Sequence, residues 1–137
     1  MLWLGRKAAR VQAGDFNAVG GAHTVAQAGE PGFEVVFDHA DIRDEAQVKA
    51  LVDRTVARWG RLDILFNNAG VVLVKSLEET TEAEWDHLMS VNLKAMFFGC
   101  KHAIPHMRRT GRGAILNTGS IGSFTGQLNT PAYIPSK

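Results

Sequence analysis

Short apolar runs alternate along the chain with longer stretches in which apolar residues recur at helical spacing. Candidate strands lie at 9–13, 33–37 and 62–66, and a fourth within 113–120 runs into a Gly/Ser turn. Strands that alternate with helices are typical of a parallel sheet covered by helices. The pattern therefore predicts an α/β fold, and nothing in residues 1–137 indicates a linker or a second domain.

Two helices between these strands are the most clearly marked. Apolar residues at helical spacing predict the first over 48–59, and Gly60 supplies its C-terminal stop. The second opens at Thr81 and Glu84, which fit a capping box, and its apolar stripe continues past residue 100. Pro105 is expected to kink or end this second helix, because proline removes a backbone donor.

Composition and charge narrow the function classes. The net charge is +1, with 15 basic and 14 acidic residues interspersed, so we expect no nucleic-acid or membrane partner. No apolar run is long enough to span a bilayer and no signal peptide is evident, which favours a cytoplasmic protein. His102 and His106 have helical spacing, but no third ligand is placed near them, so no metal site is expected.

The chain ends in a pair of residues that suits acid–base chemistry. Tyr133 and Lys137 are four residues apart, so in a helix both side chains lie on one face. An ammonium beside a phenol favours the phenolate, which can exchange a proton with an alcohol or carbonyl oxygen. Ser120 follows an apolar strand at the sheet edge where ligands of open α/β sheets bind. Taken singly, each of these residues has a simpler interpretation as a turn former or a solvated polar residue.

Together with earlier motifs, these residues carry a family resemblance. The matching positions, in order, are Asn67, Asn68, Ala69, Gly70, Asn92, Ser120, Tyr133 and Lys137. The chain resembles the short-chain dehydrogenase/reductase (SDR) family over essentially its whole length. The resemblance implies a doubly wound Rossmann sheet and an oxidoreductase that transfers a hydride between NAD(P) and an alcohol or ketone.

The resemblance also implies catalytic roles. Tyr133 would be the general acid/base, and Lys137 would support it and hydrogen-bond the nicotinamide ribose. Ser120 would donate to the substrate oxygen, and Asn92 would hold a water that extends a proton relay from Lys137.

Cofactor residues follow from the same resemblance. Asn67, Ala69 and Gly70 would line the cofactor, and Asp41 with Ile42 would contact the adenine. Asp15, at the end of a strand, would accept hydrogen bonds from the adenosine ribose, so NAD is expected in preference to NADP. Arg6 and Arg10 favour the opposite choice, because a guanidinium could bind the 2′-phosphate of NADP.

The departures from the family pattern predict an incomplete fold. The N-terminal glycine-rich turn is absent, and the chain stops at Lys137, where members of the family continue. The four strands correspond to family strands 2 to 5. Strand 1, which lies between strands 2 and 4, and strands 6 and 7 are missing. We expect an internal fragment, 1–137, that forms a single incomplete NAD(P)-binding domain, is marginally stable, self-associates or aggregates, and does not turn over substrate.

Three alternatives remain open at this stage. In the first, the chain is part of a dehydrogenase, which is expected to be a homodimer or homotetramer. In the second, it is a short non-catalytic chain that dimerises through its long helix. In the third, it is a nucleotide-sensing module. Retention of Ser120, Tyr133 and Lys137 together argues against sensing alone. Pro135 is harmless to the Tyr–Lys spacing if the last helix begins near Ala132, which we favour, whereas a helix that begins at Pro131 would lose one backbone bond. The identity of the alcohol or ketone substrate is left undetermined.

Overall fold

Strands and helices alternate along the chain in a computed structural model that describes residues 9–28 and 34–137. The elements are β1 (Arg10–Asp15), α1 (Ala18–Gln27), β2 (Glu34–His39), α2 (Glu45–Trp59), β3 (Ile64–Asn67), α3 (Glu82–Met89), a π-helical segment (Ser90–Lys94), α4 (Ala95–Thr110), β4 (Ala114–Asn117), α5 (Gly122–Thr125) and a 3-10 turn (Ile134–Ser136). The predicted α/β alternation is confirmed. Phe33, the first residue of the predicted second strand, lies outside the described residues.

The strands form two separate parallel pairs. β1 pairs with β2 in the register Arg10↔Glu34, and β3 pairs with β4 in the register Ile64↔Ala114. Among the described residues, no strand joins one pair to the other. The fold is therefore a partial Rossmann sheet with a gap between β1 and β3, as the missing family strand 1 predicts.

Polar residues fix the ends of α2 and α3. The Asp44 side chain accepts from the backbone N–H of Ala46 at the start of α2, and Gly60 ends that helix with φ of 74°. At the start of α3, Thr81 and Glu84 form the predicted capping box, each side chain bonding the other residue's backbone N–H. The stop at Gly60 and the start at Thr81 are thus confirmed.

Of the two outcomes predicted for Pro105, the end of the helix is wrong, since the helix continues past it. α4 continues through Pro105 to Thr110 and ends at Gly111, which has φ of 72°. Ala103 and Met107, on either side of the proline, are buried. Their packing outweighs the loss of one backbone hydrogen bond. The irregularity in this long helical stretch lies earlier instead, in the π-helical segment 90–94.

Helices cover the two strand pairs unequally. α1 packs one face of β1–β2, where Gly21 lies against the ring of Phe37, and α2 packs the other face, where Leu51 contacts Gly14. α2 also packs on α4, and α4 covers β3 on that same side. The opposite face of β3–β4 has no covering helix among the described residues, which leaves Phe66 and Leu116 43% and 48% exposed.

Among the described residues, no helix combines the length and the apolar character that a bilayer crossing requires.

Candidate active site

The carboxyl ends of β3 and β4 are tied together by polar side chains. The Asn67 side-chain amide donates to Asn117 Oδ1 over 2.8 Å, and the Thr118 backbone N–H donates to the Asn67 carbonyl over 3.0 Å. Thr118 Oγ1 also donates to Asn68 Oδ1 over 3.2 Å. Both strands therefore deliver their following loops to one edge of the sheet, where ligands of open α/β sheets bind.

Asn92 lies at the centre of this edge, fully buried in the π-helical segment. Its Oδ1 accepts from the Val71 backbone N–H over 2.8 Å, and its Nδ2 donates to the Val71 carbonyl over 2.9 Å. The second Nδ2 hydrogen is donated to Ser136 Oγ over 2.8 Å. Both donors of the amide are thus used, and one Oδ1 lone pair remains for the predicted water. The side chain clamps the loop after β3 to the C-terminal turn.

Lys137 points its ammonium at Gly70. A methyl carbon placed on Gly70 would lie 2.6 Å from Lys137 Nζ and 3.4 Å from Asn92 Oδ1. Gly70 is therefore required because a side chain would occupy the space in front of the ammonium. Lys137 is half-buried, and its ammonium forms no hydrogen bond or ion pair with any described residue. A half-buried ammonium without a protein partner is suited to donate a hydrogen bond to an acceptor atom of a ligand.

Ile134–Ser136 form a 3-10 turn between Tyr133 and Lys137, and Pro135 is its second residue. The Ile134 backbone N–H donates to the Thr130 carbonyl over 3.1 Å, which is an α-helical type of bond. The helical turn therefore begins before Ala132, the case in which the sequence predicts the loss of one backbone bond at Pro135.

Ser120 and Tyr133 are not joined by a hydrogen bond between described residues. Ser120 Oγ accepts from the Gly122 backbone N–H over 3.2 Å, in the turn after β4. That turn approaches the C-terminal segment nonetheless, because a methyl carbon on Gly119 would lie 3.9 Å from the Lys137 carbonyl oxygen. The Tyr133 phenol makes no side-chain hydrogen bond with a described residue. The loop that carries Ser120 and the turn that follows Tyr133 therefore lie close together.

The predicted adenosine-side residues lie around a neighbouring cavity of about 590 Å³. Asp15, Ile42 and residues 67–69 all line it. Asp15 is exposed at the end of β1, and its Oδ1 accepts from the Asn17 backbone N–H over 2.9 Å. Asp41 is held by Arg43, whose side-chain hydrogen bonds lower the pKa of that carboxyl to about 2. Asp41 is therefore fixed as a carboxylate beside a guanidinium.

Ser136 is the site residue that sequence reasoning missed. It is 2% exposed, accepts from Asn92, and donates to the Tyr133 carbonyl over 2.6 Å. The π-helical segment that carries Asn92 was also missed. No sequence pattern predicts the π-helical segment. For Ser136, the available signal is its position as a small polar residue between the two site residues Tyr133 and Lys137.

The two histidines considered as metal ligands lie in an ion-pair seam between α2 and α4. His102 Nε2 lies 3.0 Å from Glu45 Oε1, and His106 Nε2 lies 3.6 Å from Asp53 Oδ1. Within 9–28 and 34–137 no cluster of three metal-ligating side chains occurs.

Comparison with known proteins agrees with this architecture. The family model described as short chain dehydrogenase matches residues 3–137. The chain therefore belongs to the short-chain dehydrogenase family.

Several characterised proteins are similar to it. Cyclopentanol dehydrogenase of Comamonas testosteroni is 34% identical over 134 residues, which are 98% of this chain and 54% of that protein. Levodione reductase of Leifsonia aquatica is 41% identical over 108 residues, 78% of this chain and 40% of that protein. A crystal structure of levodione reductase superposes with a TM-score of 0.91 at 35% identity, covering 98% of this chain and 55% of that one. The chain thus spans about half the length of these relatives.

Proposed function

We propose that the chain carries the nicotinamide end of the active site of an oxidoreductase, which transfers a hydride between NAD(P) and an alcohol or ketone. The observation that carries this proposal is the ammonium of Lys137 in front of Gly70, held beside the buried Asn92 clamp. Family membership and the names of the relatives, an alcohol dehydrogenase and a reductase, support the same reaction class.

Each polar group at this edge has a role in the proposed reaction. Tyr133 exchanges a proton with the substrate oxygen, and Ser120 donates a hydrogen bond to that oxygen as negative charge develops on it. Lys137 hydrogen-bonds the ribose next to the nicotinamide. Asn92 fixes the turn that carries Tyr133 and Lys137 and has one acceptor left for a water. The bound nicotinamide supplies or accepts the hydride, since no side chain provides two electrons.

The described residues fit such a cofactor at its two ends. The free ammonium of Lys137 suits the nicotinamide ribose, and Gly70 leaves the space in front of it open. At the other end, only one oxygen of the Asp15 carboxylate accepts a hydrogen bond from a described residue, which leaves the other for a ribose hydroxyl, and Ile42 borders the same cavity as residues 67–69. No glycine-rich cradle for the pyrophosphate is found among the described residues. Residues 1–137 are therefore proposed as an incomplete NAD(P)-binding domain that does not turn over substrate alone.

We propose NAD in preference to NADP. A carboxylate at Asp15 repels a 2′-phosphate. Arg10 lies at the opposite end of the six-residue strand β1, about 17 Å away at 3.3 Å per residue, and its guanidinium stacks over Trp59. Arg10 is thus poorly placed to offset the charge of Asp15. Arg6 lies outside the described residues.

Saturation-transfer NMR with NADH tests the proposed site on the chain itself. We expect transfer to the nicotinamide ring hydrogens, and its loss in Lys137→Met, because the ammonium contacts the neighbouring ribose. Lys49→Met, at an exposed ion pair on α2, is the matched control and should keep the transfer. Transfer that is unchanged in Lys137→Met, or absent from wild type in a sample with native-like circular dichroism, would refute the proposal.

A second candidate function is self-association through the long helical stretch. Trp85, Leu93 and Phe97 are 40%, 53% and 61% exposed there, and large exposed apolar side chains on one stretch favour a protein interface. This supports a homodimer or homotetramer as the assembly of the dehydrogenase. Sedimentation velocity should show a smaller species for Phe97→Ser than for Phe124→Ser, a control that is 90% exposed elsewhere. Equal sizes would exclude this surface.

A further inference from the structure

We propose that Lys75 and Glu84 are positioning residues for Tyr133, because their ion pair holds the loop that immediately precedes the tyrosine. Both act through the backbone of Asn129 and not on the substrate. The functional meaning of this contact rests on the proposed role of Tyr133 as the acid/base, whereas the contact itself is measurable without cofactor. Together with Asn92, which holds the segment after Tyr133, the ion pair fixes the tyrosine from both sides.

The Glu84 carboxylate has a fixed position at the start of α3. Its Oε2 accepts from the Thr81 backbone N–H over 2.8 Å and from Thr81 Oγ1 over 2.9 Å. The Lys75 ammonium donates to both carboxylate oxygens, over 2.9 and 3.0 Å. The side chains of Lys75 and Glu84 are 31% and 34% exposed, so water and salt screen this pair less than a fully exposed one. The capping box of α3 therefore also fixes the side chain of Lys75.

The loop 71–75 is held at both ends by one helical stretch. At its first residue, the Asn92 side chain bonds both the N–H and the carbonyl of Val71. At its last residue, Glu84 holds the ammonium of Lys75. Residues 82–110 continue from α3 through the π-helical segment into α4 without a break. Both ends of the loop are therefore fixed relative to the same rigid element.

Lys75 passes this constraint on to the loop before Tyr133. The Lys75 backbone N–H donates to the Asn129 carbonyl over 2.6 Å. Asn129 has φ of 57°, in the left-handed region, which costs free energy for most residues with a side chain and which asparagine tolerates better than most. The hydrogen bond from Lys75 offsets part of this cost and keeps the Asn129 carbonyl in its direction.

The next residue carries the constraint into the turn itself. Thr130 is 4% exposed, and its carbonyl accepts from the Ile134 backbone N–H over 3.1 Å. The Thr130 hydroxyl donates to the Gln127 carbonyl over 2.8 Å. Tyr133 lies within the turn that the bond from Ile134 to Thr130 closes. A displacement of Asn129 therefore displaces Thr130 and the first hydrogen bond of the turn that carries Tyr133.

Tyr133 is thus anchored at two points of sequence. Asn92 reaches Ser136, three residues after the tyrosine, and Lys75 reaches Asn129, four residues before it. Acid–base catalysis requires the phenol within hydrogen-bond reach of the substrate oxygen, and a misplacement of about 1 Å can cost about 10²-fold in rate. Two anchors fix both the position and the tilt of the turn, whereas one anchor alone would leave it free to pivot.

The probe is the chain labelled with carbon-13 at Cζ of tyrosine. Tyr133 is the only tyrosine of the sequence, so the label gives a single protein resonance. Amide hydrogen exchange at Ile134 reports the first bond of the turn. The test variant is Lys75→Met, which keeps most of the side-chain length and removes the charge, and Lys75→Arg is the conservative rescue variant. Lys101→Met, which removes an ion pair between α4 and α2, is the matched control.

The ion pair makes specific predictions for these variants. In Lys75→Met, exchange at Ile134 should accelerate by about fivefold relative to residues 18–27 of α1, and the Tyr133 resonance should move or split. Lys75→Arg should return both readouts to those of wild type, because its guanidinium can also bind the carboxylate. Lys101→Met should change neither readout.

Substitutions at Asn129 test whether the effect passes through its carbonyl. Asn129→Gly should keep exchange at Ile134 within about twofold of wild type, because glycine adopts positive φ without steric cost. Asn129→Val should accelerate it, because a β-branched residue disfavours φ of 57°. Lys75→Met and Asn129→Val weaken the same hydrogen bond, so the double variant should accelerate exchange by less than the product of the two single factors.

Three results would overturn the proposal. If the Ile134 exchange and the Tyr133 resonance are unchanged in Lys75→Met, or do not recover in Lys75→Arg, the ion pair does not position the turn. If residues 18–27 accelerate as much as Ile134, the pair contributes only general stability. If the two factors multiply in the double variant, Lys75 and Asn129 act separately. These measurements contain no NADH, so a failure of the proposed function would appear in the Lys137→Met experiment instead.

Discussion

The Asn92 side-chain amide donates to the hydroxyl of Ser136 over 2.8 Å, across 44 positions of sequence, and that hydroxyl donates in turn to the Tyr133 carbonyl over 2.6 Å. The turn that carries Tyr133 and Lys137 is therefore anchored by a buried polar chain that begins in the π-helical segment. Removing one member leaves a buried partner unsatisfied.

We predict that Asn92→Ala and Ser136→Ala each loosen the C-terminal turn by about 1–3 kcal/mol, the cost of a buried unpaired polar group. The measurement is amide exchange at Lys137, whose N–H bonds to the Ile134 carbonyl. The double variant should be less than additive, with a coupling of about 0.5–3 kcal/mol. Additive effects would contradict a direct link. Asn68→Ala, at an exposed asparagine of the same edge, should leave Lys137 unchanged.

Gly70 should be sensitive to the addition of one methyl group. In Gly70→Ala the new carbon would lie 2.6 Å from Lys137 Nζ, so the ammonium must move from its position. We expect NADH to bind about tenfold more weakly, as measured by saturation-transfer titration. Gly119→Ala is the matched control, because its methyl carbon meets only the Lys137 carbonyl, at 3.9 Å. Equal affinities of the two variants would contradict a cofactor contact at Lys137.

Cofactor preference should depend on Asp15. We predict that Asp15→Ser lowers the ratio of the NADPH to the NADH dissociation constant by about tenfold, since repulsion of the 2′-phosphate is removed. Competition titrations of both cofactors give this ratio. Asp63→Asn, at the opposite end of the neighbouring strand pair and also exposed, should leave the ratio unchanged. A ratio that does not change in Asp15→Ser would mean that this carboxylate does not select the cofactor.

The start of α3 should lose protection in acid. The Thr81 backbone N–H, followed by Lys75 and the Thr81 hydroxyl, lowers the pKa of Glu84 from 4.5 to about 2. A carboxyl whose pKa is lower in the folded state stabilises that state above its unfolded pKa. This contribution is lost as the pH falls from about 4.5 towards 2.

Amide exchange in α3, corrected for the pH dependence of the intrinsic exchange rates, should show this loss of protection between pH 4.5 and 2. Glu84→Gln should flatten it, whereas Glu82→Gln, in the same helical turn, should not. The same pH dependence in Glu84→Gln as in wild type would show that the capping box is not its source.

Some features of the fold were predictable because they depend on local chemistry. Gly60 ends α2 because only a residue that tolerates positive φ fits there, and Thr81 opens α3 through its capping box. Membership of the family was predictable because the motif residues between Asn67 and Lys137 resemble those of the family in identity and order. That the helix does not end at Pro105 was not predictable, because burial on both sides of the proline, a tertiary effect, holds the helix together.

The geometry of the site was less predictable. The 3-10 turn at Ile134–Ser136 was not predicted, and Ser136, which bonds Asn92 and the Tyr133 carbonyl, holds it in place. The contacts of Asn92 with Val71 and Ser136 depend on the π-helical geometry of residues 90–94. No pattern in the sequence predicts that geometry. Both features depend on long-range packing.

A thermal melt followed by far-UV circular dichroism, at two protein concentrations, is the most direct test of the claim that the sheet is incomplete. With β1 and β3 unpaired towards each other, we predict a broad transition that shifts with concentration, because self-association compensates for the missing centre. A sharp, cooperative melt of a monomer, independent of concentration, would contradict this and show that the described chain closes its sheet without help.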